Sequence, residues 1–340
     1  MKVAIDKDTI KYIDDLSEFD FIYVFDNEPI SELLNLGVHC VNKRYLKAVD
    51  INLTDYRIDC IKKAKPTDKN WKKKPEIKNN KFAVIIPNFN YRELLEKCIG
   101  SVLEQTYTNY EIIFVDDVST DRSARTAKRL IGNKGKVIEL QQKRWNGGAR
   151  NEAYLHVSDD VDYLIYLDSD DWFRDKYVFE KINRKLQNNE DVLFIGICYY
   201  KNGKLVDCFE PNYKDRYEAI KEWSGSCGKV IKKSLATRQE CLYNEGTLKE
   251  DRNQHCRICI YMNDFNCMSE CVYVWNRENR KSVTTIRDKT IWGTSTIRHY
   301  ADTLQLYLQE QGKDAKIDSY LEERVKQCKK EMEIGGDRQW

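Results

Sequence analysis

The chain has 340 residues, enough to bury a full core and to hold one large domain with additions. Its net charge of +2 excludes a global electrostatic pull toward nucleic acid or anionic membrane. No apolar run approaches membrane-spanning length and charge follows the first residues at once, so neither a transmembrane span nor a signal peptide is expected. The cysteines, 12 in all, lack the rhythm of a disulfide framework, which points to reduced thiols and a cytoplasmic protein.

In chain order, Phe19 to Phe25 reads as a strand, Ile30 to Leu36 as a short helix ended by Gly37, and Val38 to Val41 as a second strand. Residues 1–60 thus form a small α/β appendage, with His39 packed in the apolar pattern. Residues 61–81 are a Lys-rich, apolar-poor linker. Such a run is usually solvated, and its alternative role is attraction of a polyanion or a membrane surface.

From Phe82 the pattern becomes regular. Phe82 to Ile86 is a buried strand, Leu94, Leu95, Cys98, Ile99, Val102 and Leu103 recur at helical spacing, and Tyr110 to Val115 is the next strand: a βαβ crossover. Ser119 or Thr120 caps a second helix, Gly132 ends it, and Lys136 to Leu140 and Tyr163 to Leu167 are further strands. Polar clusters follow three of these strands: Pro87 to Asn90, Asp116 to Asp121, and Asp168, Asp170 and Asp171. In an open parallel sheet ligands sit beyond the carboxyl ends of the strands, so the three clusters should converge. Crowded carboxylates on a short turn suit Mg²⁺ or Mn²⁺ with positions left for phosphate oxygens, although an Asp-rich turn alone is common.

These residues carry a resemblance. Ala83-Val-Ile-Ile-Pro87-Asn-Phe-Asn90, Ser101 to Tyr107, Glu111 to Asp121, Asn146-Gly-Gly148-Ala-Arg150-Asn151 and Leu167-Asp168-Ser-Asp170-Asp171 resemble, in order, the family 2 glycosyltransferases of GT-A fold. The match runs from about Phe82 to Phe173, and it departs at Val118, where the family usually has Gly, and in a compact loop from Asn146 to Asn151. The resemblance implies an α/β, Rossmann-like, mostly parallel sheet flanked by helices. The catalytic domain would span 82–285, with a nucleotide-sugar half (82–173) and an acceptor half (174–285), followed by a C-terminal helical extension (286–340). It further implies that Pro87, Phe89 and Asn90 line the nucleoside pocket with Gly148 nearby, that Asp117 accepts a hydrogen bond from the uracil imide, and that Asp168 and Asp170 hold the metal. An ionised carboxylate only accepts, which suits a base N–H. Asp116 either braces its turn or touches ligand; Arg150 either braces the acidic cluster or reaches a phosphate, with a salt bridge to Asp116 or Asp117 as its alternative.

In the second half Val192 to Ile195 reads as a strand, and Trp223 to Leu235 resembles the segment before the acceptor-facing helix. Glu250-Asp251 resembles the family's Glu-Asp pair, which makes Asp251 the catalytic base and puts Glu250 and Trp223 near the acceptor. Val272 to Thr284 resembles the closing strand and basic loop, with Arg277, Arg280 or Lys281 available to the diphosphate. Cys256, Cys259, Cys267 and Cys271 with His255 have a zinc-like spacing, yet fall in a predicted helix and an apolar strand where cysteine packs as a small hydrophobe.

The expected activity is metal-dependent, inverting transfer from a nucleotide sugar, a UDP-sugar first, to an acceptor hydroxyl in bacterial-type surface glycan assembly. Alternatives are a hydroxymethylated base in DNA as acceptor, a zinc-stabilised nucleic-acid-binding module, and an inactive sugar-binding scaffold. Peripheral membrane contact is compatible with the Lys-rich linker.

Overall fold

The computed structural model describes residues 3–4, 21–24, 39–42, 77–222, 225–246, 250–279, 303 and 315–333. The chain divides into two units, Met1–Glu76 and Ile77–Trp340. In the first, β1 (Val3–Ala4), β2 (Phe21–Val24) and β3 (His39–Asn42) pair in parallel in the order β1-β2-β3. The strands expected at 19–25 and 38–41 fall on β2 and β3; the helix at 30–36 and the linker up to residue 76 lie outside the described residues.

The second unit is built on β4 (Phe82–Asn88), all seven residues of which are buried. Because helices cover both faces, the strand reads as a continuous apolar run and not as an alternation. Phe82, Val84 and Ile86 pack with Leu95, Cys98, Ile99 and Val102 of α1 (Leu95–Leu103) on one face. Ala83 and Ile85 pack with Ala149, Ala153 and Tyr154 of α3 (Trp145–Tyr154) on the other. Each buried Val, Ile, Leu or Phe side chain among them contributes about 1.5–3 kcal/mol, so the two faces together fix the register of β4.

Parallel neighbours of β4 are β5 (Tyr110–Asp116) and β7 (Tyr163–Tyr166), with β6 (Gly135–Glu139) beyond β5. α2 (Ser123–Ile131) joins β5 to β6. The sheet then continues through antiparallel β11 (Lys229–Lys232) to β9 (Val192–Lys201), β12 (Phe265–Asn276) and β8 (Trp172–Phe173), and β10 (Lys204–Phe209) pairs with β9. α4 (Val178–Lys185), α5 (Arg216–Lys221), α6 (Lys233–Ala236), α7 (Glu250–Tyr261) and α8 (Ala315–Glu333) complete the described helices. The result is a mixed α/β sheet, mostly parallel in its first half.

Two local expectations are corrected. Residues 146–151 are not a loop: they form the body of α3, because Gly147 and Gly148 let the helix pack closely. α2 starts at Ser123, later than a Ser119 or Thr120 cap would place it, since Asp121 accepts from the Ser123 N–H at 3.0 Å while Ser119 and Thr120 are used by the preceding turn. Of the expected C-terminal helices, α8 and the single residue Thr303 lie within the described residues.

Candidate active site

The carboxyl ends of β4, β5 and β7 come together as the strand order requires. Asn88 and Asp116 are register partners, and Asn88 Nδ2 donates to Asp116 Oδ1 at 2.9 Å. Asp116 Oδ2 accepts from the Ser119 N–H at 2.9 Å, so this buried carboxylate braces its own turn. Asn90 Oδ1 accepts from the Thr120 N–H at 2.8 Å and Ser119 Oγ accepts from the Asn90 N–H at 2.9 Å. These bonds hold Asn90 and Val118 in the left-handed region, at φ 60° and 64°. For a β-branched residue that conformation is strained, and it falls at the position where the sequence departs from glycine.

Asp117 is 3% exposed and its oxygens are engaged. Oδ1 accepts from the Arg144 N–H at 2.7 Å, Oδ2 from the Trp145 N–H at 2.8 Å, and Lys143 Nζ lies 3.1 Å from Oδ2. The same ammonium sits 2.8 Å from the centre of the Phe89 ring. Phe89 is 40% exposed, so the face on which a planar base could stack is present but covered by Lys143. Two of the expected pocket residues are buried. Pro87 is buried in β4 opposite Val115 and shapes the strand end without presenting surface. Gly148 is buried in α3, where a Cβ would stand 2.4 Å from Arg144 Cβ, so it serves close packing.

The turn after β7 separates its three carboxylates by role. Asp171 is buried, accepting from Tyr273 Oη at 2.6 Å and from the Asn276 N–H at 2.8 Å; it ties the turn to β12. Asp168 and Asp170 are instead held by Arg150 and Asn279. Asp170 accepts from Asn279 Nδ2 at 2.8 Å, and burial with the nearby charge of Asp168 raises its carboxyl to about 6. A divalent cation would relieve that repulsion, and two carboxylates leave the remaining positions for phosphate oxygens, so the pair fits the metal that the sequence implied. Beside Asp170 opens a cleft of about 920 Å³ lined by Asn90, Tyr91, Asp121, Asn276 and Asn279 among others. Tyr91 was not singled out from sequence; burial and the charge of Asp170 push its hydroxyl well above the usual phenol range.

Arg150 joins the donor side to the first turn of α7. Its Nη2 donates to Asp168 Oδ1 at 2.6 Å and its Nη1 to Glu250 Oε1 at 2.9 Å, whereas neither Asp116 nor Asp117 is its partner. The guanidinium is 2% exposed, lies 5.3 Å over the Tyr243 ring, and keeps a buried Nε with no hydrogen-bond partner. Burial raises Glu250 to about 7, against the lowering pull of Arg150. Asp251 next to it is only half-buried, with Oδ1 accepting from the Arg252 N–H at 2.8 Å. Thus the adjacent pair divides into a buried brace and a reachable carboxylate.

Lys229, at the start of β11, is a residue that sequence reasoning passed over. It is fully buried, donates to the Gly225 carbonyl at 2.7 Å, and is pulled by burial to about 8 while the charge of Asp251 opposes the fall. A lysine in a run of Lys residues gives no sequence signal of burial. Arg277 stacks on Tyr199, with its guanidinium carbon 3.8 Å from the ring centre. Trp223, Arg280 and Lys281 lie outside the described residues. The proposed zinc spacing is also corrected. Cys256 and Cys259 are buried in α7, Cys267 accepts from the Tyr213 N–H at 3.4 Å, and Cys271 sits elsewhere with Cys198 and Cys208. The helix and the bulged strand carry the two pairs apart.

The domain that carries this arrangement is similar to known proteins in family and fold. Residues 83–242 match the family model described as Glycosyl transferase family 2. The chain is 33% identical to Glycosyltransferase GlyA of Streptococcus pneumoniae over 36% of its own length and 18% of that protein. It is 28% identical to the Escherichia coli UDP-Glc:alpha-D-GlcNAc-diphosphoundecaprenol beta-1,3-glucosyltransferase WfgD over 41% of its length and 54% of that protein. It is 37% identical to the poly(ribitol-phosphate) beta-N-acetylglucosaminyltransferase TarP of Staphylococcus aureus over 33% of its length and 35% of that protein. The matched segments therefore span about half or less of these relatives. Among solved structures, S. aureus TarS 1-349 in complex with UDP-GlcNAc superposes with a TM-score of 0.59 at 18% identity, covering 73% of this chain and 71% of that one, a likeness of fold.

Proposed function

Residues 83–242 form a family 2 glycosyltransferase domain of GT-A fold, and from that premise we propose that the chain transfers a sugar from a UDP-sugar to an acceptor hydroxyl with inversion at the anomeric carbon. The observation that carries this reading is the Arg150 bridge, which draws Asp168 and Glu250 into one cluster at 2.6 and 2.9 Å. That cluster joins a strand-end carboxylate pair suited to a diphosphate with a helix start suited to a base. Relatives named for surface-polymer and lipid-linked acceptors, TarP and WfgD, support bacterial surface glycan assembly as the setting.

In this reading Asp168 and Asp170 hold Mn²⁺ or Mg²⁺, which when bound supplies charge neutralisation to the departing nucleoside diphosphate. Phe89 and Asn90 flank the base once Lys143 moves off the ring, and Asp117 either shares an oxygen with the imide or acts only by holding the 143–145 backbone. Asp251, reachable beside buried Glu250, takes the proton from the acceptor hydroxyl as it attacks from the face opposite the leaving group. Glu250 and Arg150 position that carboxylate and close the back of the site. Calorimetry tests the donor half: UDP should bind more tightly with Mn²⁺ than with a chelator, and Asp170→Ala should remove the difference. Equal affinity in all four conditions would overturn the role of Asp170.

A further inference from the structure

Two cysteines of one hairpin and a third more than sixty positions later meet on the sheet. Cys198 on β9 and Cys208 on β10 are direct register partners with sulfurs 3.0 Å apart, and Cys271 reaches the same point from β12 on the other side of β9. All three sulfurs lie within 4.8 Å of one another, and among the described residues this is the one group of three or more His, Cys, Asp or Glu whose ligand atoms so converge. A disrupted register makes this possible: β12 shifts against β9 on both sides of Cys271, which pairs with Gly196, and a Cβ at Gly196 would meet the Glu270 carbonyl oxygen at 2.6 Å. The bulge thus re-aims the cysteine, as bulges commonly do.

We propose that Cys198, Cys208 and Cys271 form a thiolate site for a borderline-soft d¹⁰ cation, Zn²⁺ in the first instance, that pins edge strand β10 to β9 and β12. Zn–S bonds of about 2.3 Å in tetrahedral geometry put sulfurs roughly 3.8 Å apart, a spacing inside the observed envelope. The 3.0 Å pair has to open by under about 1 Å, and Cys208 sits on an exposed edge strand where a side-chain adjustment is cheap. Cys208 supplies the entry path and an open side for a fourth ligand such as water. Arg174 offsets the charge of three thiolates: its Nη1 lies 4.0 Å from Cys198 Sγ and donates to the Cys271 carbonyl at 3.2 Å. Binding replaces one proton on each of three thiols by a bond to the metal, and the protons leave to solvent. The consequence reaches the active site through β12, because Tyr273 and Asn276, just beyond the bulge, hold Asp171.

The test uses the full chain, reduced and freed of metal, titrated with Zn²⁺ and with Co²⁺. One equivalent should bind, Co²⁺ should develop intense near-ultraviolet thiolate charge-transfer absorption, and Zn²⁺ should raise the melting temperature. C208S, at an exposed position and therefore expected to fold, should weaken Zn²⁺ by more than about 100-fold, the upper range for loss of a merely supporting group. C271S should do the same, and C256S should not. Absence of stoichiometric binding, binding unchanged in both C208S and C271S, or recovery of the freshly isolated chain with a Cys198–Cys208 disulfide that Zn²⁺ cannot compete with would each overturn the site.

Discussion

At the scale of single residues the site is built from conformations and ionisation states that its surroundings impose. Val118 holds a φ of 64° while 40% exposed, so it pays in backbone strain and gains little from burial. Val118→Gly removes about 1–2 kcal/mol of left-handed strain, offset by the greater entropy of glycine in the unfolded chain. A net stabilisation of about 1 kcal/mol is expected, or roughly 2–4 °C in a thermal melt; a lower melting temperature would show that the turn is not strained. Glu250 is raised from 4.5 to about 7 by burial. Its folded form holds the proton more tightly than the unfolded form, so its contribution is fully present below about 4.5 and is lost as pH rises through about 7. Asp170, raised to about 6, acts in the same sense, whereas His255, buried and held well below its usual range, acts in the opposite one. The difference between parent and Glu250→Gln melts isolates the effect: relative to the parent, the variant should gain stability as pH rises from 5 to 7.5 (about the window of that titration). Parallel pH curves would refute a protonated Glu250.

At the scale of elements, what was legible in the sequence follows from burial on two faces. β4, β5 and β7 announce themselves as apolar runs ending in polar residues, and their ends do converge. β10 gave no signal because its residues are mostly exposed at an edge, and β11 was masked by lysines at Lys229, Lys232 and Lys233, the first of them fully buried. The division of labour among Asp168, Asp170 and Asp171 was likewise hidden, since it depends on Tyr273 and Asn276 about a hundred positions away. The Arg150 partners were hidden for the same reason: Glu250 lies on another helix, 100 residues on. α3 shows how packing overrides a loop-like sequence. Its paired glycines lower helix propensity, yet a Cβ on Gly147 would stand 2.7 Å from the Asn244 carbonyl oxygen, a backbone atom with little freedom to retreat. Gly147→Ala should therefore destabilise by about 1–3 kcal/mol in denaturant unfolding, despite a propensity gain of up to about 1 kcal/mol. A stabilised variant would mean that α3 and the 243–245 segment are not in close contact.

At the scale of the whole molecule, the family domain accounts for residues 83–242, and the chain beyond it supplies β12 and α7, which carry the partners of Asp171 and Arg150. No helix among the described residues is long and apolar enough to cross a membrane, and α8 places Ile317 and Leu321 in the core of the second unit. Nucleic-acid binding through the cysteine pairs at 256–271 loses its structural basis, because those thiols do not assemble into one group. An inactive scaffold differs from an enzyme in one observable, turnover. Transfer by the Asp168–Asp170 pair and Asp251 is tested most directly by release of UDP from a panel of UDP-sugars in the presence of Mn²⁺, with water or a polyol phosphate polymer as acceptor. The parent should release UDP from at least one donor only when the metal is present, Asp170→Ala should abolish that dependence, and Asp251→Asn should lower the rate by about 10²–10⁴-fold while donor binding persists. Release that is absent with every donor, or equal in the parent and Asp251→Asn, would contradict it.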